Sequence, residues 1–392
     1  MILPPDRSEC CGGAQCLVVH KGALQAAPSG PGAVYPRAMS QPDVPVTVLS
    51  RWAAFAGAAA QPFGTGLINQ TFLLDTGATK AILQRLHPIF RPVVNEDLDV
   101  VTAHLCKQGL VTPRLVRTDD GAPCVTLPRA PGENDDTQTW RLITFVKGTS
   151  VDRLSSPEQA RAAAALVAGF HAAVENLSYA YQHVREGVHD TRKHLLTLAR
   201  ALAKHRTHRL AREAGALGKE ILDAGARLPN LSALPLRHAH GDLKISNLLF
   251  DDDGKGLCLC DLDTLQKLSW PLEMGDALRS WCNPRGEDVK DAAIDLDLFQ
   301  AAIDGYFSSP KKPFLVPDET AHLVDGLLLI CVELSARFCA DALNESYFGW
   351  NSQKYQTRGD HNLLRAQGQW SLAKSVLARK TELEVIVKAA AR

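Results

Sequence analysis

Apolar, strand-like runs separated by turn residues fill the first part of the chain, and apolar residues recur at helical spacing after Gly148. Two such runs, at residues 69–74 and 80–86, flank an Asp-Thr-Gly turn, and this combination predicts a β-hairpin. A helix is predicted at about 93–108, with Gly109 as its C-terminal cap. The first lobe, residues 46–148, is therefore predicted to be a sheet with one helix, and its other strands are expected at 114–118, 123–128 and 139–146.

Helical patterns dominate the second lobe, residues 149–392. The tetrapeptide Ser-Pro-Glu-Gln at 156–159 predicts a helix start, because it combines an N-cap, a proline at the first helical position and a Gln that closes a capping box. One non-helical insert, residues 235–268, interrupts this lobe. The later helical stretches are predicted at about 190–226, 288–306, 320–343 and 363–391.

Residues 1–45 are rich in Pro, Gly and Ala and lack any helical or strand period, which predicts a disordered tail. They also lack the succession of charged, apolar and small residues that marks a secretory signal. Met39 lies just before the structured pattern begins, so we expect either a natural start at Met39 or a dispensable tail before it. Removing residues 1–38 is expected to leave fold and activity intact.

The chain carries 43 Lys and Arg residues and 43 Asp and Glu residues, so its formal net charge is zero. Without a positive field it is not expected to bind nucleic acid or an anionic membrane, and no apolar run reaches the roughly 18 residues of a membrane span. Ten cysteines in 392 residues are too sparse for a disulfide scaffold and favour reduced thiols in the cytoplasm. A zinc site at Cys10, Cys11 and Cys16 is the alternative, but no second cluster at ligand spacing completes it.

The insert at 235–268 contains the candidate chemistry. Asp242 is followed by Asn247 five residues on, then by two strand-like runs around an Asp/Gly turn, and the second run ends at Asp261 and Asp263. Phosphoryl transfer needs a carboxylate to accept the proton of the attacking hydroxyl and oxygen ligands to hold Mg²⁺ against the phosphates. This spacing reproduces the Asp and Asn of the protein-kinase catalytic loop and its metal-binding Asp. A surface hairpin with solvated carboxylates is the alternative.

The sequence resembles the aminoglycoside phosphotransferase and choline kinase superfamily in its His-Gly-Asp-x-x-x-x-Asn motif at 240–247 and its Asp-x-Asp at 261–263. Within it, the chain is most similar to N-acetylhexosamine 1-kinase and its relatives, on segments spread from about residue 61 to 370. The resemblance implies an α+β, two-lobed, protein-kinase-like fold with a small β-rich N-lobe and a large helical C-lobe. It also implies an ATP- and Mg²⁺-dependent enzyme that phosphorylates the anomeric hydroxyl of a hexose or N-acetylhexosamine. The segments are 64–72, 83–86, 140–141, 189–191, 261–264, 275–279 and 360–363.

The resemblance assigns roles within the catalytic segment. Asp242 is expected to be the base or hydroxyl orienter, and Lys244 is expected to neutralise the transferring phosphoryl group. Asn247 and Asp261 are expected to hold Mg²⁺. Asp263 is either a second metal contact or a structural carboxylate.

On the nucleotide side, the resemblance implies phosphate contacts from the segment that contains Gly64, Gly66, Asn69 and Thr71. Glycine-rich loops present backbone N–H groups to phosphate oxygens, although a plain tight turn is the alternative here. The next strand is expected to supply a cation, and the sequence offers Arg85, or Gln84 in the other register, where protein kinases have Lys. Glu96 on the following helix is the expected partner of this cation. A surface Arg and a surface Glu remain the alternatives.

On the acceptor side, Arg337 and Tyr347 match the family's sugar-contacting Arg and Tyr, and His189 and Asp190 lie in another family-like segment. Core packing is the alternative for the aromatic residue, and a structural role is the alternative for His189 and Asp190. Two further functions stay open. One is a kinase with another acceptor, such as an aminoglycoside, choline or an amino-acid hydroxyl. The other is a nucleotide-binding pseudokinase, whose expected loss of Asp242, Asn247 or Asp261 is not seen here.

Overall fold

The computed structural model describes residues 44–64, 68–128 and 137–392. The predicted tail, with Met39 and the cysteines at 10, 11 and 16, lies outside the described residues except for its last two positions. Gly66 also lies outside them. No helix within the described part of the chain combines the length and the apolar character that crossing a membrane requires.

The N-lobe is built on an antiparallel sheet of six strands in the described residues, in the order β1-β2-β3-β6-β4, with β5 also paired to β6. The predicted hairpin is confirmed as β2 and β3, since Asp75 Oδ1 accepts from Gly77 N at 2.8 Å and Gly77 adopts a positive φ of 81°. Alternate residues of β2, Phe72 and Leu74, are buried against the core of the lobe. A short helix, α1 (Val46–Leu49), precedes the strands, which are β1 (Ala59–Pro62), β2 (Gln70–Asp75), β3 (Lys80–Arg85), β4 (Leu115–Val116), β5 (Val125–Pro128) and β6 (Thr137–Thr144).

The predicted N-lobe helix is confirmed as α2 (Val94–Lys107), and Gly109 follows it with a φ of 79°. Its apolar face, Leu98, Val101 and Leu105, packs into the larger core that continues through the C-lobe. The helix therefore joins the sheet to the rest of the molecule.

The C-lobe is helical around the insert, as predicted, and α3 (Pro157–Val174) begins at the predicted N-cap, Ser156. Three of the predicted helical stretches were wrong in their extent. The stretch 190–226 is two helices, α4 (Thr191–Lys204) and α5 (Ala211–Gly225), and the last stretch is also two, α10 (Arg358–Ala378) and α11 (Lys380–Ala390). The stretch predicted from 288 is helical only in α7 (Leu296–Phe307), because Asp295 caps it by accepting from Leu298 N at 3.0 Å.

The sequence analysis did not predict the short helix α1 or the longer α6 (Trp270–Trp281). Ten of the twelve residues of α6 are buried, so this helix lacks the alternation of apolar and polar faces that reveals a surface helix. α6 packs against α9 (Leu323–Asn344), which is also buried along nearly its whole length and is preceded by the short α8 (Pro317–Ala321). These two helices form the centre of the C-lobe.

The insert folds into two small antiparallel pairs. β7 (Leu236–Ala239) pairs with β10 (Gln266–Ser269), and β8 (Leu248–Phe250) pairs with β9 (Gly256–Leu259). Two short 3₁₀ turns, Ile245–Asn247 and Leu262–Thr264, lie between them. A sheet-based N-lobe, a helical C-lobe and this insert confirm the predicted two-lobed α+β fold.

Candidate active site

The catalytic loop, residues 240–247, is fixed by buried contacts at its start. The backbone amides of His240 and Gly241 donate to the two carboxylate oxygens of Glu273 on α6, at 2.7 and 3.0 Å. The His240 ring is fully buried, and its Nε2 lies 2.8 Å from Cys260 O on the returning hairpin. The loop is thereby joined both to the core of the C-lobe and to the β8–β9 hairpin.

Asp242 lies between two partners from its own loop. Lys244 Nζ forms an ion pair with Asp242 Oδ2, and Asn247 Nδ2 donates to the same oxygen at 3.0 Å and to the Asp242 carbonyl at 2.8 Å. Burial raises the pKa of Asp242, but the charge and hydrogen bond of Lys244 outweigh it and hold this pKa below the ordinary value. The carboxylate is therefore ionised at neutral pH and can accept a hydrogen bond from a hydroxyl.

Asp261 ends the hairpin and faces the same loop. Cys260 N donates to Asn247 O at 2.8 Å, which brings Asp261 next to the amide-bearing residue. Burial, with the nearby carboxylates of Asp263 and Asp242, raises the pKa of Asp261 to about 6. This surplus of negative charge beside an amide oxygen fits a divalent cation.

A complete protein cage for the metal is not required. Among the residues described, no three His, Cys, Asp or Glu side chains are grouped as a ready-made metal site. Mg²⁺ keeps water and phosphate ligands and is commonly bound by only one or two carboxylates. Asn247 and Asp261 suit that mode, and they are the residues that would hold the ion together with the nucleotide.

Asp263 is not placed as the second metal contact. Its two carboxylate oxygens accept from the guanidinium of Arg141 on β6, and Asn69 Nδ2 also donates to Asp263 Oδ2 at 2.7 Å. The alternative that the sequence left open, a structural carboxylate, fits these contacts. Arg141 lies in a segment that the sequence analysis used only for its resemblance, and its pairing with Asp263 was not predicted. The available signal is that Arg141 is the one charged residue of β6 and is buried.

The described residues expected on the nucleotide side have contacts within the protein. Gly64 has a positive φ of 76°, as a phosphate-binding loop or a tight turn requires. Asn69 is engaged by Asp263, and its Oδ1 accepts from His87 N at 2.9 Å. Thr71 accepts from Gln84 Nε2 at 3.2 Å across the β2–β3 ladder.

The expected ion pair between Arg85 and Glu96 is not supported by the contact that Glu96 makes. Glu96 lies in the first turn of α2 and pairs with Arg117 at 3.2 Å on the exposed side of that helix. Arg85 lies opposite Trp140 in the ladder between β3 and β6. The inward carboxylate of α2 is instead Asp97, which accepts from Tyr179 Oη at 2.7 Å.

On the acceptor side, the structure brings His189, Arg337 and Tyr347 together around Glu333 of α9, and we call these four residues the acceptor cluster. His189 Nδ1 lies 3.2 Å from Glu333 Oε1, and Arg337 Nη1 lies 3.6 Å from the same oxygen. The Arg337 guanidinium carbon lies over the Tyr347 ring, 5.9 Å from the ring centroid. Buried His189 Nε2 has no hydrogen-bond partner in the described residues.

Asp190, the fourth predicted acceptor residue, has a structural contact instead. Its Oδ1 accepts from Lys193 N at 3.0 Å and so caps the start of α4. Another carboxylate, Asp341, positions Tyr347 by accepting from its backbone amide at 2.9 Å. Both roles are local to the backbone.

An ion pair on α6 is within electrostatic range of both Asp242 and His189. Arg279 Nε donates to Asp276 Oδ1 at 2.9 Å, and both side chains are buried. Burial raises the pKa of Asp276, Arg279 opposes that rise, and the charges of Asp242 and His189 both act on the same carboxyl. Asp276 is therefore affected by a charge of the catalytic loop and by a charge of the acceptor cluster.

A family model described as "Phosphotransferase enzyme family" matches residues 59–306. Among similar solved structures, a microcompartment-associated aminopropanol kinase is 16% identical, with 85% of this chain and 96% of that chain covered and a TM-score of 0.57. An aminoglycoside phosphotransferase from Alicyclobacillus acidocaldarius is also 16% identical, with 88% and 98% covered and a TM-score of 0.56. An amicoumacin kinase in complex with AMP-PNP and Ca²⁺ is 12% identical, with 80% and 87% covered and a TM-score of 0.53. These likenesses show the kinase-like fold.

Proposed function

The chain belongs to the phosphotransferase enzyme family, and we propose from that membership that it transfers a phosphoryl group from ATP to a hydroxyl group of a small molecule with the help of Mg²⁺. The observation that carries the proposal is the ionised carboxylate of Asp242, held by Lys244 and Asn247 and faced by Asp261. These are the carboxylate, cation and oxygen ligands that phosphoryl transfer requires. A bound ATP analogue and a divalent cation in a structure of the same fold support the choice of cofactors.

Each residue of the loop has one role in the proposed reaction. Asp242 orients the acceptor hydroxyl and accepts its proton, and Lys244 neutralises the charge on the transferring group. Asn247 and Asp261 hold the metal. When bound, Mg²⁺ supplies charge neutralisation at the phosphate oxygens.

For the acceptor we propose a sugar, phosphorylated at its anomeric hydroxyl. Because the pKa of Asp242 is held below its ordinary value, this carboxylate is a weak base and suits an acceptor hydroxyl more acidic than an ordinary alcohol. An anomeric hydroxyl has that acidity. The acceptor cluster adds a planar donor in Arg337, an aromatic ring in Tyr347 and an unpartnered nitrogen in His189, which suit hydroxyl groups.

An amino alcohol or an aminoglycoside is the second candidate. The solved structures named above, an aminopropanol kinase and an aminoglycoside phosphotransferase, support this broader class more directly than they support a sugar. An ammonium group, however, is best bound by a carboxylate that lacks a cationic partner. Glu333 of the acceptor cluster already pairs with His189 and Arg337, and Asp276 on α6 already pairs with Arg279.

A coupled assay of ADP release tests these candidates. The panel contains free hexoses and N-acetylhexosamines, choline, ethanolamine, aminopropanol and an aminoglycoside, each with and without Mg²⁺, and Asp242→Asn serves as the inactive control. ADP release with a free sugar, lost when its anomeric hydroxyl is methylated, supports the sugar proposal. Release only with an amine supports the second candidate. If no acceptor on the panel gives ADP release, catalysis is refuted and a pseudokinase is supported.

A further inference from the structure

Four polar side chains cross between the lobes, and we call them the interlobe clamp: Asn69, Gln84 and Arg141 from the N-lobe, and Asp263 from the insert. Besides its bonds to Asp263, Arg141 donates through Nε and Nη2 to Gln84 Oε1, at 2.9 and 2.6 Å. Gln84 and Arg141 are direct partners in the β3–β6 ladder, so their side chains lie side by side. The strands thus aim one guanidinium at a single carboxylate.

The clamp is dry. The side chain of Arg141 is 1% exposed and that of Asp263 is 0% exposed. A buried ion pair is tolerated only when its geometry is good and its remaining hydrogen-bonding groups are satisfied. Gln84 and Asn69 meet that requirement, because Gln84 accepts hydrogen bonds from the Arg141 guanidinium and Asn69 donates one to the second carboxylate oxygen of Asp263.

The clamp lies two residues from Asp261. Asp261 has a left-handed backbone, with a φ of 60°, which is unfavourable for a residue other than glycine and has to be maintained by its surroundings. The 3₁₀ turn that follows is attached at two points, since Asp263 binds the N-lobe and Thr264 Oγ1 donates to His240 O at 2.8 Å. These two attachments fix the backbone that carries the Asp261 carboxylate.

We propose that Asp263 is a positioning residue, which orients Asp261 for the metal only when Arg141 of the N-lobe is docked onto it. This inference rests on the proposed function, because it concerns the same metal and nucleotide. In it, the N-lobe sheet controls metal binding without contributing a metal ligand. A catalytic hairpin separated from Arg141 leaves Asp261 without the support that its backbone needs.

The test is Mn²⁺ binding in the presence of AMP-PNP, measured by electron paramagnetic resonance, which needs neither an acceptor nor turnover. The variants are Arg141→Met, Asp263→Asn and the double change. Supporting groups behind metal ligands are typically worth 10- to 100-fold in metal affinity. We expect each single change to weaken Mn²⁺ binding by about that factor, and the double variant to be no weaker than the weaker single variant, because the two residues act as one unit.

Two further variants keep the test decisive. Asn69→Ala removes the donor to Asp263 and the acceptor of His87 N but leaves no charge unpaired, so it is expected to fold even where Arg141→Met fails to fold. It is expected to weaken Mn²⁺ binding by about threefold to tenfold. Asp120→Asn breaks the exposed ion pair with Arg51 in the same lobe and is expected to leave Mn²⁺ affinity unchanged. Circular dichroism of every variant establishes that it is folded.

If Asp263→Asn weakens Mn²⁺ binding while folded Arg141→Met and Asn69→Ala leave it unchanged or tighten it, Asp263 is a metal ligand and the inference is wrong. If Asp263→Asn has no effect, the inference is equally wrong. If the unaltered protein binds no Mn²⁺ with AMP-PNP, the proposed function is wrong, and the inference, which rests on it, is wrong as well. If the wild-type protein binds Mn²⁺ and AMP-PNP but the clamp variants bind Mn²⁺ with unchanged affinity, only the inference about the clamp is wrong.

Discussion

The Glu273 carboxylate accepts a hydrogen bond from the backbone amide of His240 at 2.7 Å and so fixes the start of the catalytic loop from within the C-lobe core. Its other oxygen accepts from Gly241 N at 3.0 Å. Burial raises the pKa of Glu273, but the hydrogen bond and charge of His171 outweigh it, so this pKa lies below the ordinary value. An ionised, acceptor-only group is what two converging backbone N–H groups require.

Glu273→Gln replaces one of these acceptor oxygens by an NH₂ group, which faces a backbone N–H and leaves it unsatisfied. We expect the free energy of unfolding to fall by about 1–3 kcal/mol and the turnover number to fall as the loop shifts. Urea unfolding and steady-state kinetics measure the two effects. Glu158→Gln, at a side chain that is 79% exposed, is the matched control and should change stability by less than about 0.5 kcal/mol. Equal stability of the two variants would contradict the assigned role.

Gly241 is required both by its backbone and by its neighbour. It has a φ of 81°, and a Cβ there would meet Thr264 O at 2.4 Å, closer than side-chain and backbone atoms approach. Gly241→Ala is expected to displace the loop and reduce kcat by about 100-fold, the order of loss that a displacement of 1 Å produces. Gly254→Ala is the control, because Gly254 has a similar φ of 78° but open space around its Cβ position. It should cost about 1–2 kcal/mol of stability and leave kcat unchanged, and a comparable loss of kcat in both variants would refute the steric argument.

Asp242→Asn tests the proposed base. Loss of a general base typically lowers kcat by about 100- to 10,000-fold, whereas the affinity for ATP should change little because Asp242 contacts the acceptor hydroxyl. The measurements are kcat from ADP release and nucleotide affinity from calorimetry. Asp252→Asn is the control, because Asp252 lies in the turn of the β8–β9 hairpin and its side chain is 88% exposed. Near-normal turnover of Asp242→Asn would remove Asp242 from the mechanism.

The sequence predicted the centre of the site because the residues involved are close along the chain. Asp242, Asn247 and Asp261 lie on one loop and one short hairpin, and the turn residues between the two strands determine how the hairpin returns. The same local reasoning predicted the β2–β3 hairpin and the start of α3. Local hydrogen bonding decides these features, so they can be read from short segments.

The features that were missed depend on contacts between distant segments. The partner of Asp263 is Arg141, more than a hundred residues earlier, and no short segment reveals that pairing. Glu273 lies on α6, whose burial on nearly all sides removes the periodicity from which helices are predicted. The break between α4 and α5 was missed because residues 205–210, which separate the two helices, contain neither Pro nor Gly. Tertiary packing determines all three.

The environment of His189 yields the last prediction. Burial lowers the pKa of His189, but the charge and hydrogen bond of Glu333 outweigh it, so this pKa lies above the ordinary value of about 6.5. A raised pKa in the folded state means that protonated His189 contributes stability below pH ~6.5, and that this contribution is lost as pH rises through the folded-state pKa. In Glu333→Gln burial dominates, so the pKa of His189 should fall below its ordinary value and its contribution to the pH dependence should change sign.

Nuclear magnetic resonance titration of the His189 ring measures this change directly, and urea unfolding at pH 6 and pH 8 measures its effect on stability. His189→Gln is the matched control, since it removes the titrating group but keeps a polar side chain beside Glu333. Acceptor affinity adds a readout that a purely structural pair would not move. Because His189 Nε2 is the unpartnered nitrogen of the acceptor cluster, its loss of a proton in Glu333→Gln should raise KM for the acceptor and leave KM for ATP unchanged. A wild-type His189 that titrates below pH ~6.5 would show that Glu333 does not hold its proton.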